Sequence, residues 1–239
     1  MKLKIKKLSH WLRERLELTR LALRLQLGSK FWLVPLLALA WPAIQMLRLL
    51  VGNGVQGFNE DAAQNFLIGF PLYVLAIGMG VRIIAGEIEQ RTLEVTYTVP
   101  GGASRVWLAK LMAVLTPLLL TEAILALITV IFFTSFTLTV LYGALQGAVF
   151  YLVLAMGLGA LLRSELTAAL SSALILGLDG ISNIGRLSPL FNPLAVQNTD
   201  SSEILAWTIQ NRIGYALVII ALVALACARA ERREKMLGN

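Results

Sequence analysis

The sequence predicts an all-α membrane protein that crosses the bilayer several times, and composition, one long uncharged stretch and the segregation of charge predict it. Of 239 residues, 57% are hydrophobic and only 15% charged, whereas a soluble domain of this size carries about a quarter charged residues to cover its surface. Between Glu122 and Arg163 no Asp, Glu, Lys or Arg occurs. At about 1.5 Å per helical residue, that stretch is long enough to cross the hydrocarbon of a bilayer twice. The net charge of +7 lies beside apolar runs, where basic residues set orientation and meet anionic headgroups, so nucleic acid is not an expected partner. A single cysteine, Cys227, sits in an apolar run and supports neither a disulfide framework nor a metal cluster. It reads as a buried thiol.

Residues 1–29 read as an amphipathic helix lying in the cytoplasmic interface. Lys6, His10, Arg13, Glu17, Arg20 and Arg24 recur at spacings of three and four, while Leu8, Trp11, Leu12, Leu16, Thr19 and Leu23 take the opposite side. Such a helix lies flat on a membrane or packs on a partner. With nine Lys or Arg in residues 1–30 and no continuous apolar core, the segment does not resemble a secretory signal. Gly28 and Ser29 break it before the first span.

Residues 30–229 then hold six apolar runs, at about 31–51, 64–84, 106–133, 138–162, 166–179 and 213–228. The fifth fades where Gly177, Asp179, Gly180, Asn183 and Gly185 loosen it, and Pro189 and Pro193 follow. A broken or re-entrant segment surrounded by protein is expected there. With the N-terminus inside, eighteen of the twenty-one Lys and Arg face the cytoplasm, and only Arg48, Arg186 and Arg212 face out. The positive-inside rule therefore places both termini, including a basic tail over 230–239, in the cytoplasm of a multi-pass cell-membrane protein.

The segment at about 86–105 is the longest of the internal segments between spans. Glu87, Glu89 and Glu94 are expected to be exposed on a short helix continuing the second span. Val99-Pro100-Gly101-Gly102 breaks that helix, and Ser104 is placed to cap the third span. A short helix held between two spans on the cytoplasmic face can transmit a push from a partner.

The string Glu87…Arg91-Thr92-Leu93-Glu94…Pro100…Ser104-Arg105…Lys110 resembles the signature of ABC-2-type transporter permeases. There an acidic residue precedes a Gly-Thr-Leu-Glu-like element, then a Pro, a Ser-Arg pair and a Lys that opens the third span. An N-terminal amphipathic connecting helix, six spans and cytoplasmic termini extend the resemblance over the whole chain. Asn211-Arg212 before the last apolar run, with the basic tail after it, adds to it. The sequence departs at Arg91, where the family usually has Gly, at Val95-Thr96-Tyr97-Thr98, and in the longer spacing from Pro100 to Ser104.

The resemblance implies a type V exporter-like fold and the permease subunit of an ATP-driven exporter. Two permease copies, identical or related, would form the path, and separate ATP-binding subunits would hold ATP and Mg2+. This chain has no Gly-x-x-x-x-Gly-Lys-Ser/Thr loop of its own. By the same resemblance, the internal loop is the coupling helix, with Glu87, Glu89, Arg91, Thr92, Glu94 and Arg105 as contacts or braces. Arg13, Glu17, Arg20 and Arg24 belong to the connecting helix. The bland alternative is a solvated loop whose charges only fix topology.

Two carboxylates fall inside spans. Glu122, a dozen residues beyond Lys110, and Asp179 are expensive at membrane depth, so each is paired, neutral or facing a cavity. Glu122 either lines a path or a subunit interface, or is a hydrogen-bonded structural acid. Trp32, Trp107 and Trp207 are expected as interface anchors, and Gly143, Gly147, Gly157 and Gly159 as close-packing positions. An intramembrane enzyme is the rival from another class, but the one histidine, His10, and the absence of any Lys in the spans beyond Lys110 at the opening of the third leave it few of the groups it needs. A membrane assembly or immunity partner that transports nothing is the other alternative.

Overall fold

The computed structural model describes residues 33–52, 58–99, 102–182, 185–196 and 200–232. Among them every regular element is helical. The expected connecting helix, with Arg13, Glu17, Arg20 and Arg24, and Trp32 and most of the basic tail lie outside the described residues. The elements are α1 (Leu33–Leu50), α2 (Glu60–Glu89), α3 (Leu93–Tyr97), α4 (Ala103–Phe132), α5 (Leu138–Leu162), α6 (Glu165–Ser182) and α7 (Ser201–Ala230). Four of these helices, α2, α4, α5 and α7, are long and apolar enough to cross a membrane, the mark of a helical membrane protein. At 18 residues each, α1 and α6 are shorter, about 27 Å of helix.

The helix ends follow local chemistry. α2 opens on Glu60 and Asp61, whose charges suit a helix N-terminus. It passes through a π-helical stretch, Ala63–Gly69, before becoming regular. α4 starts at Ala103, after Gly102 at φ +87°. Ser104 therefore stands in the first turn instead of capping it, because the left-handed glycine has already turned the chain. α7 begins at Ser201, twelve residues before the expected last span. Its first turns are too polar to register as apolar, and Arg212, expected outside the membrane, lies within the helix.

α2 and α5 form the spine of the bundle. On α5, Gly143, Gly147, Tyr151, Ala155 and Gly159 recur every four residues and present one face to α2. The crossing is tightest at Gly80, where an added Cβ would stand 2.3 Å from the carbonyl oxygen of Leu152. Such close backbone approach compensates for the missing hydrophobic drive between helices in lipid. α6 and α7 pack on other faces of α5, and α1 lies along α4. Leu72, Ile83, Ile84, Trp107, Leu152 and Met156 fill the centre. The outward faces of α4 and α7 carry Leu108, Met112, Leu119, Leu217, Ile220 and Leu225, as lipid-facing surfaces do.

Candidate functional site

A polar layer closes each end of this apolar bundle. At the end bearing α3, Glu87 is only 5% exposed, which corrects the expectation of an exposed residue. α2 continues unbroken to Glu89, and a 3.6-residue period puts Glu87 on the buried face with Ile83 and Ile84. Its Oε2 accepts the Trp107 Nε1–H at 2.8 Å, and its Oε1 pairs with Lys110 Nζ. Partners of this kind make a buried carboxylate tolerable. Trp107 is fully buried in this role and is not an interface anchor.

Glu89 stays exposed, and its Oε1 accepts the backbone N–H of Glu165 at 2.7 Å. It thus satisfies one of the unpaired donors at the start of α6. Glu165 in turn pairs with Arg82 Nε at 3.5 Å. α2 ends in a Schellman arrangement: Thr92 N–H bonds Glu87 O at 2.9 Å and Arg91 N–H bonds Ile88 O at 3.1 Å. The residue between them and the helix, Arg91, has φ +56°. That is the left-handed position glycine favours, and it is the position where the resembled family has Gly.

α3 buries Leu93 and Thr96 and turns Glu94 and Val95 outward, Val95 at 66% exposure. Tyr97 meets the Trp107 ring edge-on, with centroids 6.3 Å apart, and its hydroxyl donates to the carbonyl of Ala230 in the last turn of α7. Of the six expected coupling residues, Glu87 and Glu89 therefore hold helices together, and Thr92 closes the end of α2 on Glu87 O. Arg91, Glu94 and Arg105 point their charges to solvent. Tyr97, Trp107 and Glu165 complete the layer; only their chain positions beside span ends hinted at this.

The opposite layer is built on the irregular segment 185–196. Ser188, Pro189, Phe191 and Asn192 are buried, and side-chain amides from two helices hold the segment by its carbonyls. Gln64 Nε2 donates to Phe191 O at 2.9 Å and Asn65 Nδ2 to Leu190 O at 2.7 Å. Asn211 Nδ2 reaches both Arg186 O and Ser188 O, at 2.8 and 2.9 Å. Irregular backbone survives at membrane depth only with such partners. Arg212, 8% exposed, donates to Gln146 Oε1 at 3.1 Å and lies 5.5 Å over the Tyr142 ring.

Asp179 belongs to this layer. Its Oδ2 accepts from Tyr151 and Ser188 hydroxyls at 3.2 and 3.0 Å, and it lines a cavity of about 640 Å³ with Asn65, Arg186, Phe191 and Trp207. A second cavity of about 350 Å³ adjoins Arg186, Trp207, Asn211 and Tyr215. Trp207, expected as an interface anchor, is thus a cavity wall, with the Arg186 guanidinium 5.5 Å from its ring centre. Glu122 lines neither cavity; it is 6% exposed within α4, and its Oε1 has no hydrogen-bond partner. Arg48 donates to Gln45 Oε1 at 3.3 Å. Compared with known proteins, the chain matches no family model, no curated protein and no solved structure.

Proposed function

We propose that this chain is the membrane-spanning permease subunit of an ATP-driven exporter of the ABC-2 type. In this reading α1 and α6 complete six spans with the four longer helices, and both termini and α3 face the cytoplasm of a cell-membrane protein. A second permease copy pairs with the chain, and separate ATP-binding subunits carry the nucleotide and Mg2+.

The observation that carries the reading is the mounting of α3. A five-residue helix has too few residues to be stable alone, yet this one is fixed to three longer helices. It follows the Schellman end of α2, its Tyr97 binds the last turn of α7, and the same ring packs on Trp107 of α4. Its outer side offers Arg91, Glu94 and a two-thirds exposed Val95. A partner pressing there moves the ends of three helices together, which is what a coupling helix must do. The left-handed Arg91, at the resembled family's Gly position, adds support.

The test uses the full chain, affinity-purified from its native membrane. Associated ATP hydrolysis is expected, and it is expected to disappear in the Glu94→Lys, Val95→Asp double variant, whose exposed positions leave the fold intact. Wild-type material without hydrolysis overturns the transporter reading in favour of an assembly partner. Hydrolysis unaffected by the double variant overturns the role of α3.

A further inference from the structure

Of the two cavities at the end opposite α3, the smaller has the simpler chemistry. It occupies about 350 Å³ between the 185–187 turn and α7, with Arg186, Leu187, Trp207, Gln210, Gly214 and Val218 on its walls. Leu187 is 70% and Val218 42% exposed, so the cavity is a groove open on the outer face of the bundle. Gly214 keeps it deep, since an added Cβ there meets no atom within 4 Å. Position along α7 sets where the groove lies in a bilayer. Trp207 stands 22 residues before Arg229, the cation of the last turn of α7, about 33 Å of helix. The hydrocarbon is about 30 Å thick, so Arg229 at one boundary puts Trp207 and the adjoining Arg186 at headgroup level on the other. Gly214 and Val218 then lie about 10 and 16 Å deeper, among the acyl chains.

Charge decides what the groove takes. Arg186 is exposed, and its guanidinium lies 5.5 Å from the Trp207 ring centre. Its carbonyl is engaged by Asn211 Nδ2, but its guanidinium finds no acceptor among the described residues. The ion pairs among those residues are Arg82–Glu165 and Lys110–Glu87, so Arg186 has no counter-carboxylate. No Asp or Glu lines the groove. Asp179 belongs to the larger cavity, where hydroxyls of Tyr151 and Ser188 donate to it. An arginine stacked on an aromatic ring keeps its edge donors available, and their planar fork matches the oxygens of a phosphate.

We propose that this groove holds one anionic phospholipid, its phosphate on Arg186 beside Gln210 and one acyl chain running past Gly214 and Val218. A polar mouth at headgroup depth that continues into apolar wall fits a lipid and not a free anion. A lipid of net charge −1 matches the single uncompensated cation, whereas the ammonium of a zwitterionic headgroup meets no acid in the groove. The site rests on the membrane character of α7 and is independent of the coupling role of α3.

The test titrates the full chain in detergent with phosphatidylglycerol or phosphatidylcholine and counts bound lipids by native mass spectrometry. The first phosphatidylglycerol is expected to bind about tenfold tighter than the first phosphatidylcholine, the difference one charge-assisted hydrogen bond makes. Arg186→Gln is expected to bring the two lipids to equal affinity. Gly214→Leu fills the groove and is expected to weaken the first phosphatidylglycerol by a similar factor while the thermal midpoint holds or rises. Arg48→Gln is the control, at an exposed arginine near the end of α1 that leads into α2, and is expected to keep the preference. Equal affinities in the wild type, or a preference that survives Arg186→Gln, overturn the site. A preference lost equally in Arg48→Gln is a general effect of charge at that end and overturns it as well. Glycerol phosphate, the headgroup chemistry without chains, is expected to leave the lipid bound; displacement at equal concentration overturns the acyl groove.

Discussion

Trp107 donates its indole N–H to Glu87 Oε2 at 2.8 Å, joining the last turn of one membrane-length helix to the first turns of the next. With Lys110 on the other oxygen, the carboxylate is held between an aromatic donor and a cation. The two bonds differ in what their loss leaves behind. Trp107→Phe keeps the ring and removes one donor, a loss of about 1–2 kcal/mol. Glu87→Gln leaves Lys110 without its counter-charge, and the side chain of Lys110 is only 21% exposed, so a loss nearer about 3 kcal/mol is expected. Thermal unfolding in detergent ranks the two, and a costlier Trp107→Phe would contradict this account of the brace.

Arg91 supplies a prediction of opposite sign. A side chain at φ +56° costs about 1 kcal/mol relative to glycine. Arg91→Gly is therefore expected to raise stability slightly, less the entropy glycine adds to the unfolded chain. If its exposed guanidinium touches the ATPase, as proposed, associated ATP hydrolysis falls as the thermal midpoint rises. A falling midpoint would show that the arginine itself stabilises the Schellman end.

Helical class and membrane character were legible because both are period and composition effects. Six apolar runs mark where six helices stand, and four of those have membrane length. Boundaries failed where polar residues are sheltered by protein. α7 begins twelve residues before its apolar run, since Asn211 Nδ2 and Arg212 Nη1 find acceptors in the 185–196 segment and on Gln146. Glu87 was misjudged for the same reason: a carboxylate next to more acids looks solvated until Trp107 and Lys110 are seen to enclose it. The cavities could not be read at all, because Gly180 marked only a loosening of the fifth run and Gly214 carried no signal. The two prolines after the fifth apolar run did foretell the irregular backbone of 185–196, whereas the loosening expected at Gly177, Asp179 and Gly180 did not occur, since α6 runs unbroken to Ser182.

The two helix-borne carboxylates Glu122 and Asp179 should respond differently to loss of charge. Glu122 Oε1 has no partner, so Glu122→Gln removes a charge from the apolar interior at no cost in bonds. The midpoint is expected to hold or to rise, with about 3.5 kcal/mol as the upper bound. Asp179 accepts two hydroxyls, and Asp179→Asn weakens both, for a loss of about 1–2 kcal/mol. The same order for both variants would refute the distinction. Export by a folded Glu122→Gln variant then decides its remaining role: loss of export places Glu122 on the path, and unchanged export removes it.

Gly143 tests how the 185–196 segment is held. A Cβ there would stand 2.4 Å from Gln64 Oε1 and 2.7 Å from Arg212 Nη2, and both side chains reach toward Phe191 O, at 2.9 and 3.5 Å. Neither can yield without releasing that carbonyl, so Gly143→Ala is expected to cost about 1–3 kcal/mol, the usual range for overpacking. Gly157 is the comparison on the same helix. Its added Cβ meets only the Ala226 Cβ, at 3.9 Å, and Gly157→Ala is expected to gain up to about 1 kcal/mol from helix propensity. Limited proteolysis should cut within 185–196 faster in Gly143→Ala than in wild type and no faster in Gly157→Ala. Equal protection in both variants would mean that the segment is held by Asn65 and Asn211, without help from the Gln64 and Arg212 pair.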